Sequence, residues 1–264
     1  MSGTQCFFGD DLAVVIPALN EERTIRAVVS GALHHSRTVI VVDDGSTDGT
    51  AKALCGMPVI LVRHDRTLGK AAALRLGFTL ALARRCSGII TLDADGQHKP
   101  EDMPVLMRTA VLQPDSIVIA ARKGNLQAQP KARRLANRVA DFWISWAAGC
   151  AIDDTQSGMR YYPAAVASLA QSLRGEGFAF ESEVLIAASL DLGLGVVTVP
   201  IEARYEPDAR RSHFRPVRDV AAIVRAVASP LLGRGQLWQR WLRSRHVAGP
   251  PRPPQLAAQD ARTC

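Results

Sequence analysis

Two aspartates with one residue between them, Asp93 and Asp95, are the side chains of this sequence best suited to chemistry. The apolar run at 88–92 predicts a buried strand, and side chains two positions apart on an extended segment point the same way. Such carboxylates suit a hard cation, Mg²⁺ or Mn²⁺, which in proteins commonly also binds substrate phosphates. That cation would act as a Lewis acid on a departing diphosphate.

An Asp-x-Asp pair alone is a weak indication, because both carboxylates can simply accept backbone N–H groups in a turn. A second polar cluster strengthens it: Asp43 and Asp44 follow the apolar run 38–42 and can accept hydrogen bonds from a ribose or a base edge. The alternative is a turn with a helix cap, for which Ser46 or Asp48 would serve. Two adjacent carboxylates exceed what such a cap requires.

The elements that must position these side chains alternate along the first half of the chain. Apolar runs predict strands at Leu12–Ile16, Thr38–Val42, Val59–Val62, Gly88–Leu92 and Ser116–Ala120. Amphipathic patterns between them predict helices at about 21–34, 48–55, 69–85 and 101–112. Asn20 is a predicted N-cap, and Pro100 is a predicted first helical residue. This alternation predicts a parallel sheet covered by helices on both faces.

Ligands of open α/β sheets bind beyond the carboxyl ends of the strands. Four polar clusters of this sequence fall at such ends, namely 17–22, 43–48, 93–98 and 122–123. We expect them to line one cleft, and this position favours the metal-binding interpretation of Asp93-Ala94-Asp95 over the turn.

Four segments also match a known family in order and at fitting spacings. They are Val15–Glu22, Asp-Asp-Gly-Ser at 43–46, Leu68-Gly69-Lys70 before a helix of small residues, and Asp-Ala-Asp-Gly-Gln-His at 93–98. Together they resemble family 2 glycosyltransferases of the GT-A fold, especially the dolichyl-phosphate mannose synthase and polyprenyl-phosphate glucosyltransferase branch. The resemblance covers about residues 11–215. It implies a GT-A-type, Rossmann-like, mostly parallel sheet flanked by helices, and an inverting transfer from a nucleotide-sugar.

The same resemblance implies roles for individual positions. The base and ribose of a UDP- or GDP-sugar would be lined by Pro17, Leu19, Glu21, Val42 and Asp44. The metal, Mg²⁺ or Mn²⁺, would be faced by Asp93, Asp95 and Gln97, with Ala94 against the nucleotide. Arg122 follows the fifth strand, where that branch places a phosphate-binding arginine.

The acceptor side is implied by Asp154–Arg160, which resembles the branch's Asp-x-x-Ser-Gly-Phe-Arg stretch. Asp154, the second expected catalytic residue beside Asp95, would orient the acceptor or act as a base; the alternative is a turn at a strand start. A hydroxyl acceptor needs a base, worth about 10²–10⁴-fold, whereas a lipid phosphate is already ionised. Glu181 or Glu183 belongs to a Phe-x-x-Glu-like segment, or only caps the following helix.

A later arginine-rich loop occupies the place of the branch's Arg…Ser-Lys loop, which closes over pyrophosphate. Arg204, Arg210 and Arg211 can hold phosphate through charged forks. The sequence departs from the family pattern here, because the expected glycine is missing and His213 follows the serine where lysine usually stands.

The predicted organisation is a catalytic domain at 1–215, a basic amphipathic helical extension at 216–246 and a Pro-rich, disordered tail at 247–264. Helices are predicted at 131–149 and 181–192, with a strand at 196–199. Tryptophans beside arginines at 131–146 and 216–245 fit ordinary core packing or an interfacial helix on anionic lipid.

Composition bounds the remaining possibilities. The chain has 264 residues, 47% of them apolar, and a net charge of +7. Five scattered cysteines without a C-x-x-C pair argue against a disulfide framework or a zinc site and indicate a reducing cytoplasm. The amino-terminal residues lack the pattern of a signal peptide, and no apolar run reaches about 18 residues. We therefore expect a cytoplasmic protein with at most peripheral membrane contact.

Competing classes lack comparable support. A nucleotidyltransferase would carry a glycine-rich phosphate loop after the first strand, and that loop is absent from the sequence. A nucleic-acid binder is not expected, because no nucleic-acid motif occurs and the basic residues are not interleaved with stacking aromatics. The open alternative is a family 2 enzyme acting on a soluble saccharide or glycolipid hydroxyl.

Overall fold

The computed structural model of the chain describes residues 11–123 and 131–202. Within them, one sheet contains the strands β1 Leu12–Ala18, β2 Thr38–Asp43, β3 Ile60–Arg63, β4 Gly88–Thr91, β5 Ser116–Lys123, β6 Arg160–Pro163 and β7 Gly195–Glu202. Their order across the sheet is β3-β2-β1-β4-β6-β5-β7. All pairings are parallel except those of β6, which runs antiparallel to β4 and β5. The predicted α/β class with a mostly parallel sheet is confirmed.

The helices connect these strands across both faces. They are α1 Ile25–Leu33, α2 Thr50–Ala53, α3 Lys70–Ala83, α4 Met103–Leu112, α5 Lys131–Ala148, α6 Ala164–Ala170 and α7 Gly177–Asp191. A 3-10 turn at Pro100–Asp102 precedes α4, and Pro100 opens it as predicted. Among described residues, no helix is both long and apolar enough to cross a bilayer.

The predicted helix cap at Asn20 is wrong. Helix α1 begins at Ile25, with Thr24 in the capping position. Asn20 instead adopts a φ of 57°, in the left-handed region where asparagine is tolerated, and its side chain accepts a hydrogen bond from the Thr47 amide at 2.8 Å. The side chain therefore ties two loops together rather than starting a helix.

Helix α6 was not predicted from the sequence, and strand β6 appeared there only as the alternative interpretation of the segment Asp154–Arg160. The strand is only four residues long and contains a fully buried arginine, Arg160, so it lacks an apolar signal. It exists because its backbone pairs with β4 on one side and β5 on the other. Helix α7 likewise starts at Gly177, four residues before the predicted start at Glu181.

Alternation along the central strands creates two apolar layers. On β1, Ala13 and Val15 belong to the layer that contains α3, α5, α6 and α7, while Val14 and Ile16 belong to the layer with α1 and α4. These residues are fully buried, and each buried aliphatic side chain contributes about 1.5–3 kcal/mol. The loops at the strand ends are consequently held on a rigid support.

Helix α3 approaches the sheet closely because of a glycine. A Cβ at Gly77 would overlap the side chain of Val15 on β1. At the start of the same helix, Gly69 has a φ of 96°, which favours glycine, and precedes Lys70. The first turn of α3 is thereby directed at the carboxyl ends of β2 and β4.

Candidate active site

The loops after β1 and β2 are joined by hydrogen bonds at the carboxyl-terminal edge of the sheet. The Asn20 amide donates to Ser46 Oγ at 2.9 Å, and the Glu21 amide donates to Thr50 Oγ1 at 2.8 Å. Pro17 and Val42 are register partners on adjacent strands. The structure therefore brings Pro17, Glu21 and Val42, three of the predicted nucleotide-site positions, into neighbouring places.

Exposure differs among these predicted positions. Pro17, Leu19 and Glu21 are partly exposed. Val42 and Ala94 are buried within the apolar layers, at 0% and 3% exposure. Their side chains pack beneath the cleft, so in this structure they contribute support rather than contact surface.

Asp44 is buried and holds the loop that leads into α3. Its Oδ1 lies 2.7 Å from His64 Nδ1 and accepts a hydrogen bond from the Leu68 amide at 2.9 Å. Its Oδ2 accepts from the Gly69 amide at 2.8 Å. Asp44 was predicted to contact the nucleotide. In this structure its carboxylate fixes the position of Gly69 and hence of Lys70, which follows Gly69.

Neighbouring Asp43 is fully buried and has a different role. Its Oδ1 accepts a hydrogen bond from the Ser46 amide at 2.8 Å, which closes the turn after β2. Arg63 Nε lies 3.5 Å from Oδ2. The turn interpretation therefore applies to Asp43, and Asp48 also accepts from the Thr50 amide at the start of α2.

Asp93 lies just beyond β4 and is paired with Lys70. The distance from Lys70 Nζ to Asp93 Oδ1 is 2.8 Å, and the same ammonium lies 3.1 Å from Glu181 Oε2. Burial favours the neutral acid, but Lys70 outweighs it and holds the pKa of Asp93 at about 2. Asp93 is therefore ionised at neutral pH.

Asp95 is in a different electrostatic environment. Burial and the nearby charge of Asp93 raise its pKa, although its Oδ1 accepts a hydrogen bond from the Gln97 amide at 3.0 Å. Among the described residues, its Oδ2 takes part in no hydrogen bond or ion pair. Repulsion between two carboxylates is the condition that a bound dication relieves.

The protein supplies few metal ligands here. Residues 11–123 and 131–202 contain no cluster of three or more His, Cys, Asp or Glu side chains able to hold a metal. Asp93 and Asp95 would leave most positions around Mg²⁺ or Mn²⁺ to other oxygens, which is typical of sites completed by substrate phosphates. The donor set fits a cation that binds together with a diphosphate.

His98 connects this segment to the opposite side of the cleft. Its Nε2 lies 3.0 Å from Ser157 Oγ, and its Nδ1 is buried without a hydrogen-bond partner among the described residues. Burial lowers the pKa of His98 to about 4, so the ring is neutral at pH 7. The histidine holds Ser157 near Asp93.

Arg122 and Asp154 form the opposite wall. Arg122 Nε and Nη2 each donate to the Asp154 carboxylate at 2.7 Å, and the Arg122 amide donates to the same group at 2.9 Å. Burial would raise the pKa of Asp154, but Arg122 outweighs it and lowers the pKa. Asp154, predicted as an acceptor-orienting residue or base, is a poor proton acceptor in this arrangement.

The buried Arg160 holds the segment that follows Asp154. Arg160 donates to the Thr155 and Ser157 carbonyls at 2.7 and 2.8 Å and reaches the Glu181 carbonyl at 3.3 Å. Gly158 lies against Asp93, because a Cβ at this position would overlap the carboxylate. The segment 154–158 is therefore shaped to fit both Asp93 and Arg122.

The sequence-based prediction missed the contacts of Lys70, Glu181 and Arg160. Lys70 stands in a quoted motif, yet nothing local indicates its partners. Glu181 was predicted to belong to a Phe-x-x-Glu-like segment or only to cap the following helix; it lies inside α7, and the structure contradicts the cap. For Glu183 the side chain reaches back to the Gly175 amide at 2.6 Å.

Some predicted residues lie outside the described residues. These are Arg204, Arg210, Arg211 and His213, together with the extension at 216–246 and the tail at 247–264. The domain boundaries at 215 and 246 therefore stay predictions.

Two known proteins with similar sequences have names that describe sugar transfer. The dolichyl-phosphate N-acetylglucosaminyltransferase of Methanococcus voltae, which uses UDP-N-acetylglucosamine, is 28% identical over 214 residues, covering 73% of this chain and 85% of that protein. A polyprenol monophosphomannose synthase of Mycolicibacterium smegmatis is 31% identical over 202 residues, covering 71% and 75%.

The fold also resembles a solved enzyme. Glucosyl-3-phosphoglycerate synthase from Mycobacterium tuberculosis, in complex with Mn²⁺, UDP-glucose and phosphoglyceric acid, gives a TM-score of 0.64 at 25% identity, covering 86% of this chain and 80% of that one. The model for "Glycosyl transferase family 2" matches residues 13–160, more than half of the chain. The chain therefore belongs to glycosyl transferase family 2, and it is a glycosyltransferase with a GT-A-type fold.

Proposed function

We propose that this glycosyltransferase is an inverting, divalent-metal-dependent enzyme that transfers a sugar from a UDP- or GDP-sugar to a polyprenyl-phosphate-like lipid. The observation that carries the acceptor class is the state of Asp154. Its carboxylate receives three hydrogen bonds from Arg122, so it is poorly suited to remove a proton. A phosphate acceptor is already ionised and requires no such removal.

The reaction that fits this site is a single displacement. An oxygen of the acceptor phosphate attacks C1 of the sugar while the bond from C1 to the donor diphosphate breaks, and the nucleoside diphosphate leaves with the electron pair. Configuration at C1 inverts, and no proton is transferred. Mg²⁺ or Mn²⁺ held by Asp93, Asp95 and Gln97 would supply Lewis acidity to the diphosphate.

The chain's own residues provide position and charge for this displacement. Asp44 holds the loop before α3 and so places Lys70 beside Asp93. Asp154 keeps the Arg122 guanidinium in one orientation on the acceptor wall. Rigid placement of charged groups of this kind lowers the cost of reorganisation during the reaction. Arg204 and Arg210 remain predicted phosphate contacts.

The relatives support the lipid acceptor, because the names of two of them specify dolichyl phosphate and polyprenol monophosphate chemistry. A second candidate comes from the solved neighbour, whose complex contains phosphoglyceric acid, a small acceptor with a hydroxyl group. An enzyme of that kind would need Asp154 as a base. The two candidates therefore differ in their dependence on this one residue.

We further propose peripheral contact with the cytoplasmic face of a membrane through α5. The exposed side of this helix carries Leu135 at 64% and Phe142 at 51% exposure, with Arg134 and Arg138 also exposed. Phe142 contacts the partly buried Trp143 and Trp146 at ring distances of 5.6 and 6.0 Å. Aromatic and aliphatic side chains between arginines match an anionic lipid surface.

Helix α5 also connects this surface to the acceptor wall. On α5, Asp141 accepts hydrogen bonds from the Thr155 amide and hydroxyl at 2.8 and 2.6 Å. Thr155 adjoins Asp154. A helix resting on a bilayer would thus hold the acceptor wall near the lipid phosphate that it is proposed to receive.

The test is a transfer assay with the purified full chain, Mg²⁺ or Mn²⁺, and a panel of UDP- and GDP-sugars. We expect one donor to glycosylate a polyprenyl phosphate in detergent, with inverted configuration in the product. Addition of EDTA is the matched control and should stop transfer. A chain that binds no nucleoside diphosphate and transfers no sugar would contradict the proposal.

A further inference from the structure

Lys70 is the feature of the site that the proposed reaction leaves without a complete explanation. Its ammonium lies between two carboxylates, 2.8 Å from Asp93 Oδ1 and 3.1 Å from Glu181 Oε2. The Lys70 and Asp93 side chains are each 26% exposed, whereas the Glu181 side chain is 6% exposed. The Lys70 ammonium therefore bridges the partly exposed Asp93 and the buried Glu181.

The position of Lys70 is set by the fold. The preceding Gly69 has a φ of 96° and donates its amide to Asp44. Further along α3, Gly77 lets the helix contact Val15 closely. Because both ends of this segment are fixed, the ammonium is confined to the neighbourhood of Asp93 and Glu181.

Glu181 has unused capacity to bind a cation. Its Oε1 is buried and has no hydrogen-bond partner among the residues that the structure describes. Arg160 Nη2 lies 3.8 Å from that oxygen, within ion-pair range but beyond hydrogen-bond distance. A buried carboxylate oxygen without a hydrogen bond is energetically costly, so closer approach of Lys70 to Glu181 would be favourable.

Asp93, in contrast, is the carboxylate that a divalent cation would have to share with Lys70. Its Oδ1 is bonded to Lys70, and its carboxylate packs against Gly158, where a Cβ would not fit. The carboxylate cannot withdraw from Lys70 in that direction. A divalent cation at Asp93 would therefore be opposed by the ammonium already present.

We propose that Lys70 is a resident counter-cation that keeps the donor-free site from binding a divalent metal, and that it shifts fully onto Glu181 when metal arrives with a nucleoside diphosphate. This inference rests on the proposed metal-dependent function. The diphosphate supplies the negative charge and the oxygen ligands that the protein lacks, so metal and nucleotide bind together. Lys70 is thus a positioning residue for Asp93, and Glu181 is its alternative partner.

A titration of the purified full chain with Mn²⁺ tests this directly. Binding is measured as the loss of the electron paramagnetic resonance signal of the free ion. Wild type should bind Mn²⁺ weakly alone and more tightly with UDP or GDP. Lys70→Met should bind free Mn²⁺ on the order of tenfold more tightly, because a repelling charge is removed. Lys52→Met, an exposed lysine on α2, is the matched control and should behave as wild type.

Glu181→Gln should change binding in the opposite direction. Lys70 would then pair with Asp93 alone, and binding of Mn²⁺ with nucleotide should weaken on the order of tenfold. Lys70→Arg retains the charge and should keep the weak binding of free Mn²⁺. It also serves as the informative variant if Lys70→Met fails to fold, which thermal melting in EDTA would reveal.

The outcomes separate this inference from the function on which it rests. If wild type binds Mn²⁺ and nucleotide cooperatively but folded Lys70→Met binds free Mn²⁺ no more tightly, the counter-cation role is wrong and the proposed function stands. The role is equally wrong if Lys70→Arg, which keeps the positive charge, binds free Mn²⁺ on the order of tenfold more tightly than wild type. If wild type binds no nucleoside diphosphate with Mn²⁺, both proposals fail.

Discussion

The proposed donor side and the proposed acceptor side of the site are built in different ways. Donor-side residues such as Asp44 and Asp93 follow parallel strands, and each sits at the carboxyl end of its own strand. The acceptor side depends on β6, an antiparallel strand inserted between β4 and β5, and on the segment 154–158 before it.

The two sides also treat their carboxylates differently. Asp93 shares a lysine with Glu181, and Asp95 keeps an oxygen without a described protein contact. Asp154 is bound by both the side chain and the amide of Arg122. We infer that the donor side shares one lysine between two carboxylates and can receive a further cation only together with a diphosphate, whereas Asp154 on the acceptor side is already neutralised by Arg122.

The largest expected effect lies on the donor side. Asp95→Asn should reduce kcat/KM by about 10³-fold, because the loss of one charge-stabilising group at a reacting centre costs that much. Transfer assays with the identified donor would measure it, with Glu176→Gln, an exposed residue at the start of α7, as the control. A loss below tenfold would remove Asp95 from the proposed metal site.

Asp154→Asn tests whether the acceptor side supplies a base. With a phosphate acceptor we expect a loss of no more than about tenfold, because the attacking oxygen is already ionised. A hydroxyl acceptor would show about 10²-fold or more, with donor binding retained. Steady-state assays together with a nucleotide titration distinguish these results; the larger loss would favour the second candidate function.

A smaller effect is expected at the outer surface of the acceptor side. Replacing Leu135 and Phe142 on α5 by serine should weaken binding to vesicles containing anionic lipid about tenfold, since both side chains are exposed apolar groups. Sedimentation with vesicles measures this.

The matched control for that pair lies on the opposite face of the sheet. Val111 and Leu112 on α4 are exposed at 46% and 60%, and their replacement by serine should leave vesicle binding unchanged. Equal losses from both pairs would contradict a specific membrane surface on α5.

The smallest effect concerns pH. Burial raises the pKa of Asp141 to about 6 from its ordinary value of 3.8, so the native state binds this proton more tightly than the unfolded state. Its stabilising contribution is therefore complete below pH 3.8 and is lost as the pH rises through about 6. Asp141→Asn should gain about 1 kcal/mol at pH 7, after allowance for solvent screening and hydrogen bonds.

Urea unfolding at pH 4 and pH 7 measures this difference, which should disappear at the lower pH. Asp115→Asn, at an exposed position before β5, is the control and should change little. On the donor side the sign is reversed: the pKa of Asp93 is lowered to about 2, so its ionised form stabilises the native state until the pH falls through that value. A gain for Asp141→Asn that grows toward pH 4 would contradict the assignment.

Much of the donor side could be predicted from the sequence. β-Branched runs such as 38–42 predict buried strands, and the carboxyl ends of parallel strands lie at one edge of a sheet. The clusters at 43–48 and 93–98 had to lie at the same edge once β2 and β4 each paired in parallel with β1. The predicted positions of Asp44 and Asp93 followed from that rule, although their assigned contacts did not.

The acceptor side depended on contacts between residues far apart in the chain. Strand β6 has little apolar character of its own, and Arg160 is stable in the core because carbonyls of Thr155, Ser157 and Glu181, the Tyr162 hydroxyl and the Glu181 carboxylate surround its guanidinium. The prediction of Asn20 as a helix cap failed for the same reason, since its side chain found a partner in Thr47. Local patterns do not encode such partners.

The sequence by itself determined the α/β alternation, the polar residues at the strand ends and the family to which they belong. Only the tertiary structure decided that Lys70 forms ion pairs with both Asp93 and Glu181 and that Arg122 forms an ion pair with Asp154. The physical reason is that burial makes an unpaired charge costly, so each buried charge takes whichever partner the packing of distant elements brings within reach.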